Sequence, residues 1–367
     1  MAADALRLAA PGGSREALLQ LAWRPFQFPL PRALVTAQGA LAWRRGWLLR
    51  LEDGTGAVGW GEAAPLEWAE TRGAGVDRRG ANALAQEPGA VNAPAHAACA
   101  AAIEGLGALV SRQELEARLP TLPPELSFAL GLALAELDGL GSPASGGWRA
   151  APPAAELLPA GEAVLPVLED VLAARQAPAA LPPSPLTVKW KVAATDDGLE
   201  RRLLEQLLAG LPAGARLRLD ANGGWDRATA GAWADRLAGD PRLEWLEQPL
   251  APADQAGLEA LAARLPVALD ESLRQWPALM ASWPGWQVRR PVLEGDPRPL
   301  LAELAAGRPR LMLSTAFETG VGRRLLGHLA ALQAEGPTPT APGLAPGWRP
   351  EGLLFSADPQ RAWEALA

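Results

Sequence analysis

From residue 186 to residue 333 the chain repeats one pattern, and that pattern restricts its fold more than any other feature: short apolar runs alternate with longer amphipathic stretches. Strand-like runs stand at 186–192, 215–219, 243–247, 266–270, 286–290 and 309–314, and helical periodicity fills 198–210, 227–238, 253–264, 297–306 and 321–333. Parallel strands cannot be joined by a tight turn and need a long crossover, which a helix provides. The rhythm therefore predicts a parallel sheet covered by helices. With a further strand at Glu156-Leu157-Leu158 the pattern supplies seven or eight units, which suits a β/α barrel, although a doubly wound sheet has the same local pattern.

The chain before residue 141 has a different character. Up to about residue 65 it reads as strands: Trp47-Leu48-Leu49-Arg50-Leu51 and Val58-Gly59-Trp60-Gly61-Glu62 flank the turn Glu52-Asp53-Gly54-Thr55-Gly56, a hairpin signal. Ala95 to Leu109, entered through Pro94, and Glu125 to Leu137 carry Ala/Leu-rich helical periodicity. Strands followed by helices indicate an α+β unit. Residues 141–154, rich in Gly, Pro, Ser and Ala, read as a linker, and the Pro/Ala-rich 176–185 stretch reads as a loop. The expected division is an α+β domain over 1–140, completed by the tail 345–367, and a β/α domain over 141–344.

A chain of 367 residues with 49% hydrophobic and 20% charged residues is expected to be globular, and its net charge of −7 supplies no basic footprint for nucleic acid or an anionic membrane. Met1-Ala2-Ala3-Asp4-Ala5-Leu6-Arg7 places an acid early and lacks a long apolar core, unlike a signal peptide, and no apolar run reaches the length of a membrane span. A soluble cytoplasmic protein is the expectation. Cys99, the one cysteine, cannot form an internal disulfide and reads as a buried thiol in a small-residue run.

Lys189 and Lys191 are the only two lysines; every other basic residue in the Lys+Arg total of 34 is arginine. A guanidinium stays protonated at any workable pH, whereas an ammonium can give up its proton when buried or crowded by other cations. The pair lies two apart in the apolar run Leu186 to Val192, so strand geometry puts both on one face and Val188 and Trp190 on the other. Amines kept there, in a chain that otherwise uses arginine, point to a proton-transfer centre.

Acids gather where the following strands end: Asp220-Ala221-Asn222 after Leu219, Glu247-Gln248-Pro249 after Leu246, and Asp270-Glu271-Ser272 after Leu269. In a β/α barrel these ends share one face, where catalytic groups collect. Singly, each acid reads as a helix N-cap. Three at successive strand ends would repel one another unless a cation lay between them, and an all-oxygen donor set suits Mg²⁺, with Mn²⁺ a second fit. Asn222 and Glu271 stand beside them as candidates for orienting the ligands through hydrogen bonds. A divalent ion on a substrate carboxylate stabilises the charge formed when the proton α to it leaves, and Lys191 is the candidate to take that proton. The expected partner is a small carboxylate, and the oligomeric state stays open.

In this order the motifs resemble the enolase superfamily and, within it, the o-succinylbenzoate synthase family. The resemblance rests on Lys189-Trp190-Lys191, Arg218-Leu219-Asp220-Ala221-Asn222, Glu247-Gln248-Pro249, Asp270-Glu271-Ser272-Leu273 and Ser314-Thr315-Ala316-Phe317-Glu318-Thr319-Gly320. Gly59-Trp60-Gly61-Glu62-Ala63-Ala64-Pro65-Leu66 is similar to the family's capping segment. The resemblance implies a modified (β/α)7β TIM-type barrel with an α+β N-terminal capping domain, whose loops around Arg24 to Gln38 close over the site. It implies Asp220, Glu247 and Asp270 as Mg²⁺ ligands, Lys191 as the acid/base and Lys189 as its support. Ser314 and Thr315 would meet the succinyl part of the substrate, with Arg218 serving substrate or ligands alongside them. The implied reaction is a syn β-elimination of water from 2-succinyl-6-hydroxy-2,4-cyclohexadiene-1-carboxylate to o-succinylbenzoate, on the route to menaquinone or phylloquinone.

One position departs from the family pattern. In Val288-Arg289-Arg290-Pro291, Arg290 takes the place of another family lysine. An arginine is a poor proton carrier, but its flat cation can stack on an anionic ring and stabilise charge. Superfamily racemases and epimerases need a base on each face, so Arg290 argues against them. A sugar-acid dehydratase would use a late histidine, and His96 and His328 both read as structural. A non-catalytic binder of the same fold could have used arginine at position 191.

Overall fold

In the computed structural model, which describes residues 18–36, 39–66, 94–176 and 185–367, the first region is an antiparallel sheet beside helices. Strands β1 (Leu18–Thr36), β2 (Gly39–Glu52) and β3 (Val58–Ala63) precede helix α1 (Pro94–Leu106), the short strand β4 (Leu109–Ser111) and helices α2 (Arg112–Arg118) and α3 (Pro124–Leu137). The spatial order is β3-β2-β1-β4. Asp53 closes the β2–β3 turn by accepting the N–H groups of Thr55 at 2.8 Å and Ala57 at 3.0 Å. Helix α1 ends at Leu106 rather than Leu109, because Gly107 turns the chain with a φ of 71° and Leu109–Ser111 pairs with β1. Cys99 is fully buried in α1.

The expectation of closing loops over Arg24 to Gln38 is corrected as far as Thr36, which is strand. Arg24 lies opposite Leu48 and Thr36 opposite Gly39, with a register shift between Pro29 and Leu34. Pro25, Pro29 and Pro31 hide the period-2 signal there, and the register shift accommodates part of that run. Gln38, the N-terminal Met1–Arg7 stretch and most of the 176–185 loop lie outside the described residues.

The predicted repeat is present from residue 156 onward. Strands β5 (Glu156–Leu158), β6 (Thr187–Lys191), β7 (Arg216–Asp220), β8 (Leu243–Glu247), β9 (Val267–Leu269), β10 (Trp286–Arg289) and β11 (Leu311–Leu313) form one parallel sheet in chain order. Between them run helices α4 (Val164–Gln176), α5 (Asp197–Gly210), α6 (Arg227–Leu237), α7 (Gln255–Ala262), α8 (Glu271–Gln275), α9 (Leu279–Ser282) and α10 (Arg298–Ala305), with α11 (Gly320–Ala334) after β11 and α12 (Pro359–Glu364) near the end. Residues 342–343 bridge the gap between the last strand and the first without forming a regular strand: Ser314 pairs with Gly343 in parallel, and the Ala155 N–H donates to the Pro342 carbonyl at 3.0 Å. The curled sheet thus closes through a single bridge where the eighth strand was expected.

Strand alternation explains why the barrel interior can be charged. On β6, Val188 and Trp190 face outward into an apolar layer with Leu203, Leu204 and Leu207 of α5, while Lys189 and Lys191 face inward. Burying each such large apolar side chain is worth roughly 1.5–3 kcal/mol, which holds the register that turns the lysines inward. The antiparallel sheet meets the barrel through a second apolar layer, in which Phe26, Phe28, Trp60 and Phe355 pack with Val321 of α11 and Trp363 of α12. Arg24 belongs to this layer: its guanidinium lies 4.5 Å from the Trp363 ring centroid and donates to the Trp363 carbonyl at 2.7 Å.

Candidate active site

Register places the charged groups in layers. Lys191, Asp220 and Glu247 align across β6, β7 and β8, with Lys189, Arg218 and Trp245 one layer beneath. Lys189 Nζ lies between two carboxylates, 2.8 Å from Asp220 Oδ2 and 2.5 Å from Glu247 Oε1. Lys191 Nζ donates to Asp220 Oδ2 at 2.6 Å and to Asn222 Oδ1 at 2.7 Å. Asn222 Nδ2 in turn donates to Glu271 Oε1 at 3.0 Å. Arg290, at the end of β10, grips Asp270 with two parallel bonds, Nε to Oδ1 at 3.0 Å and Nη2 to Oδ2 at 2.6 Å, and also donates to the Thr315 carbonyl.

The N-cap reading separates cleanly from this cluster. Asp196, Asp226 and Asp254 cap α5, α6 and α7 with their side chains, accepting from Leu199, Thr229 and Gly257. Asp270 precedes α8 but makes no side-chain cap bond, its carboxylate being turned to Arg290. Loops at the strand ends are held by Glu200, which the sequence reading passed over, and by Gln248, which it quoted without a role. Glu200, fully buried, accepts the N–H groups of Ala193, Ala194 and Thr195 at 2.8–3.0 Å and so fixes the loop after Lys191. Gln248 ties β8 to β9, accepting from Asp270 N and Ser272 N while donating to Ser272 Oγ at 2.7 Å.

The electrostatics follow from burial against pairing. Burial opposes the charged forms of Asp220 and Asp270, yet the Lys189 and Lys191 ammoniums hold Asp220, and the Arg290 guanidinium holds Asp270, below the usual carboxylate range. Burial would likewise lower Lys189, but Asp220 and Glu247 outweigh it and raise its pKa. Glu247 is pushed up by burial and then by Asp220, and Glu271 is pushed to about 7 by burial and then by Asp270. Among the described residues no three acidic, histidine or cysteine side chains already surround a common point, because Lys189 Nζ lies between Asp220 and Glu247. Asp220, Glu247 and Asp270 are paired with Lys189, Lys191 and Arg290, while Glu271 Oε2 is buried with no hydrogen-bond partner. An all-oxygen set with such an open carboxylate oxygen beside it fits a hard divalent cation.

A cleft opens over the cluster, and its wall includes Lys189, Lys191, Asn222, Asp270, Glu271, Arg290, Ser314 and Thr315. Ser314 Oγ donates weakly to the Gly343 carbonyl at 3.4 Å, and the Thr315 hydroxyl donates to Glu318 at 2.5 Å. Asp220 and Glu247 are fully buried beneath the opening. Arg218 does not line the cleft, so of the two places expected for it, beside the substrate or behind the ligands, it stands at the second. It lies under Asp220, 4.1 Å from the Trp245 ring centroid, bonded to Glu244, Thr340 and Ala341, because i and i+2 on a strand share a face at different depths. Leu66, Arg274, Phe317 and Ala345 also line the opening and were given no site role from the sequence. Phe317 stood inside the Ser314–Gly320 motif and Leu66 closed the Gly59–Leu66 motif, whereas Arg274 and Ala345 carried no local signal. His328 accepts the Arg149 N–H at 3.2 Å, and His96 packs 4.2 Å from the Trp47 ring, so neither histidine lines the cleft.

Residues 185–281 match the family described as Enolase C-terminal domain-like. The o-succinylbenzoate synthase of Thermosynechococcus vestitus is 35% identical over 361 residues, covering 94% of this chain and 98% of that protein. The o-succinylbenzoate synthase of Salmonella arizonae is 29% identical over 329 residues, covering 87% and 88%. Among solved structures, o-succinylbenzoate synthase from Thermosynechococcus elongatus BP-1, complexed with Mg in the active site, superposes with a TM-score of 0.71 at 32% identity, covering 94% of this chain and 99% of that one. The L-Ala-D/L-Glu epimerase of Bacillus subtilis shares the fold at 20% identity, with a TM-score of 0.64 and 91% of each chain covered. By motif order, barrel architecture and likeness along nearly its whole length, the chain belongs to the o-succinylbenzoate synthase family of the enolase superfamily.

Proposed function

We propose that this chain is a carbon–oxygen lyase that eliminates water from 2-succinyl-6-hydroxy-2,4-cyclohexadiene-1-carboxylate to form o-succinylbenzoate, as a cytoplasmic step towards menaquinone or phylloquinone. The observation that carries the reading is Lys191: its amine is hydrogen-bonded to Asp220 and Asn222 and reaches the cleft above the buried carboxylates. Asp220, Glu247 and Asp270 would hold Mg²⁺, or Mn²⁺ in its place. The bound ion would supply positive charge to the substrate carboxylate as its α-proton departs.

Every other role falls to side chains. Lys191 Nζ takes the proton α to the carboxylate and delivers it to the hydroxyl on the same ring face; the carbon–oxygen bond breaks, water leaves, and the ring becomes aromatic. Lys189 supports Lys191 by holding Asp220, which both amines share. Asn222 and Glu271 orient the Lys191 side of the cleft, and Ser314 and Thr315 border the succinyl side. Arg290, committed to Asp270, contributes fixed positive charge to the opposite wall and leaves a two-base racemisation without its second base. The domain division at residue 140, with the tail 345–367 completing the cap, is supported by the layer joining Phe26, Phe28 and Trp60 to Phe355 and Trp363. The described residues contain no helix long and apolar enough to cross a membrane, and the only ligand proposed is a small carboxylate rather than nucleic acid.

The test is turnover by the purified chain, followed by ring absorbance, with Mg²⁺ and then with the metal chelated. Metal-dependent aromatisation that disappears in Lys191→Ala supports the lyase. Absence of turnover in the Mg²⁺-loaded parent chain would sink it.

A further inference from the structure

Strand β3 presents two unlike faces. A Cβ on Gly59 would meet the Ala133 carbonyl at 1.9 Å and one on Gly61 the Ala129 carbonyl at 2.0 Å, so that face lies flush on α3. Alternation turns Trp60 and Glu62 the other way, towards the barrel. Glu62 is fully buried, and its carboxylate accepts the Thr319 N–H at 3.0 Å, the Thr319 hydroxyl at 2.5 Å and the Gly322 N–H at 3.0 Å. Residue 322 must be small, since a Cβ there would come 2.9 Å from Glu62 Oε2. The first turn of α11 is thus held by an acid from the other sheet as well as by its own cap, Thr319, which accepts the Val321 N–H at 3.2 Å.

The turn just before α11 forms one wall of the cleft. Phe317 takes a φ of 66°, and Glu318 maintains that fold by accepting the Ala316 N–H at 2.7 Å and the Thr315 hydroxyl at 2.5 Å. The Thr315 carbonyl accepts from Arg290, which grips Asp270. We infer that Glu62 is a positioning residue: it anchors the 315–322 turn to the antiparallel sheet and so sets the cleft wall formed by Thr315, Ala316 and Phe317. This rests on the proposed function only in taking that cleft as the substrate site. Lys191 lies on the opposite wall, so loss of the anchor loosens substrate binding more than the proton transfer.

The experiment measures kcat and KM with Mg²⁺ for Glu62→Gln, Thr319→Val and the double variant, each checked for native circular dichroism. Each single change is expected to raise KM about tenfold with little change in kcat, and the double variant to be no worse than the larger single, because both cut one connection. KM within about twofold of the parent in both single variants, or losses that multiply in the double, overturns the inference. Should Glu62→Gln not fold, Thr319→Val alone decides by the same KM criterion, since it leaves the carboxylate in place and removes one donor. If the parent itself does not turn over, the lyase reading fails separately. Amide exchange then decides: Glu62→Gln, or Thr319→Val if it does not fold, should speed exchange across 315–322 about tenfold while β7–β9 amides keep their rates, and unchanged rates in that stretch overturn the inference.

Discussion

Two groups of buried carboxylates serve this molecule in opposite ways. At the barrel mouth Asp220, Glu247 and Asp270 are neutralised by side-chain cations, Lys189, Lys191 and Arg290. At the seam between sheet and barrel, Glu62 is met by backbone N–H groups and a hydroxyl, while Glu136 accepts from the Trp60 N–H at 3.1 Å and pairs with Arg324. The first arrangement can exchange partners, since an ammonium can swing aside and a metal ion can take its share of the charge. Most of the second cannot, because backbone donors are fixed by α11 and β3. Burial alone therefore does not mark a functional acid; the kind of partner does.

The comparison is sharpened most by cutting the exchangeable group. Lys191→Ala should lower kcat by roughly 10³-fold or more, at the strong end of general acid–base effects, and Lys191→Arg should fare little better because it keeps charge without a transferable proton. Single-turnover absorbance reads both; near-parent activity in the arginine variant would place the base elsewhere. Next, Asp220→Asn removes the charge shared by both lysines, so Mg²⁺ titration calorimetry should show binding weakened by roughly 10–100-fold, with the fold intact by circular dichroism. Unchanged affinity would exclude Asp220 as a ligand.

The fixed group predicts a pH effect on stability. Burial raises Glu62 from 4.5 to about 7 in the folded chain, against the pull of its Thr319 bonds. A carboxyl with a raised folded pKa stabilises fully below its unfolded pKa, and that contribution is lost as pH rises through the folded one, so Glu62 costs stability between about pH 4.5 and 7. Glu136 and Glu271 are raised to about 7 and act in the same direction. Urea unfolding of Glu62→Gln at pH 5 and pH 8 should show a shallower fall than the parent, by roughly 2–3 kcal/mol for a shift of this size. An identical slope would mean that Glu62 does not titrate in that window. The smallest effect belongs to the exposed pair Arg236–Glu205, where Arg236→Ala should change stability by less than about 1 kcal/mol in the same assay. A larger loss would undo the argument that partner and burial together set the value of a charge here.

Much of the barrel could be read before its structure, because strand and helix periods are local. The strands at 243–247 and 156–158 lie where the alternation put them, and helix 227–237 ends one residue from its expected limit. The long strand β1 was harder, since its prolines interrupt the alternation and its pairing with β2 is made across a register shift. Short α8 and α9 were missed after β9 for a similar reason: five and four residues are too few to display a period. At the site, the lysine pair and the strand-end acids were legible as residue types in order. Arg218 was not, because its depth beneath Asp220 depends on which end of β7 faces the opening.

By itself the sequence determined the alternation of elements, the inward face of β6 and the placement of acids at three successive strand ends, since each follows from the geometry of one short segment. Only the tertiary structure decided that Lys189 lies between Asp220 and Glu247, that Arg290 is spent on Asp270, and that Glu62 reaches α11 across 257 positions of chain. Such contacts depend on register and on how two sheets pack. A periodic pattern fixes the side on which a residue leaves its own element but not the atom it meets on another.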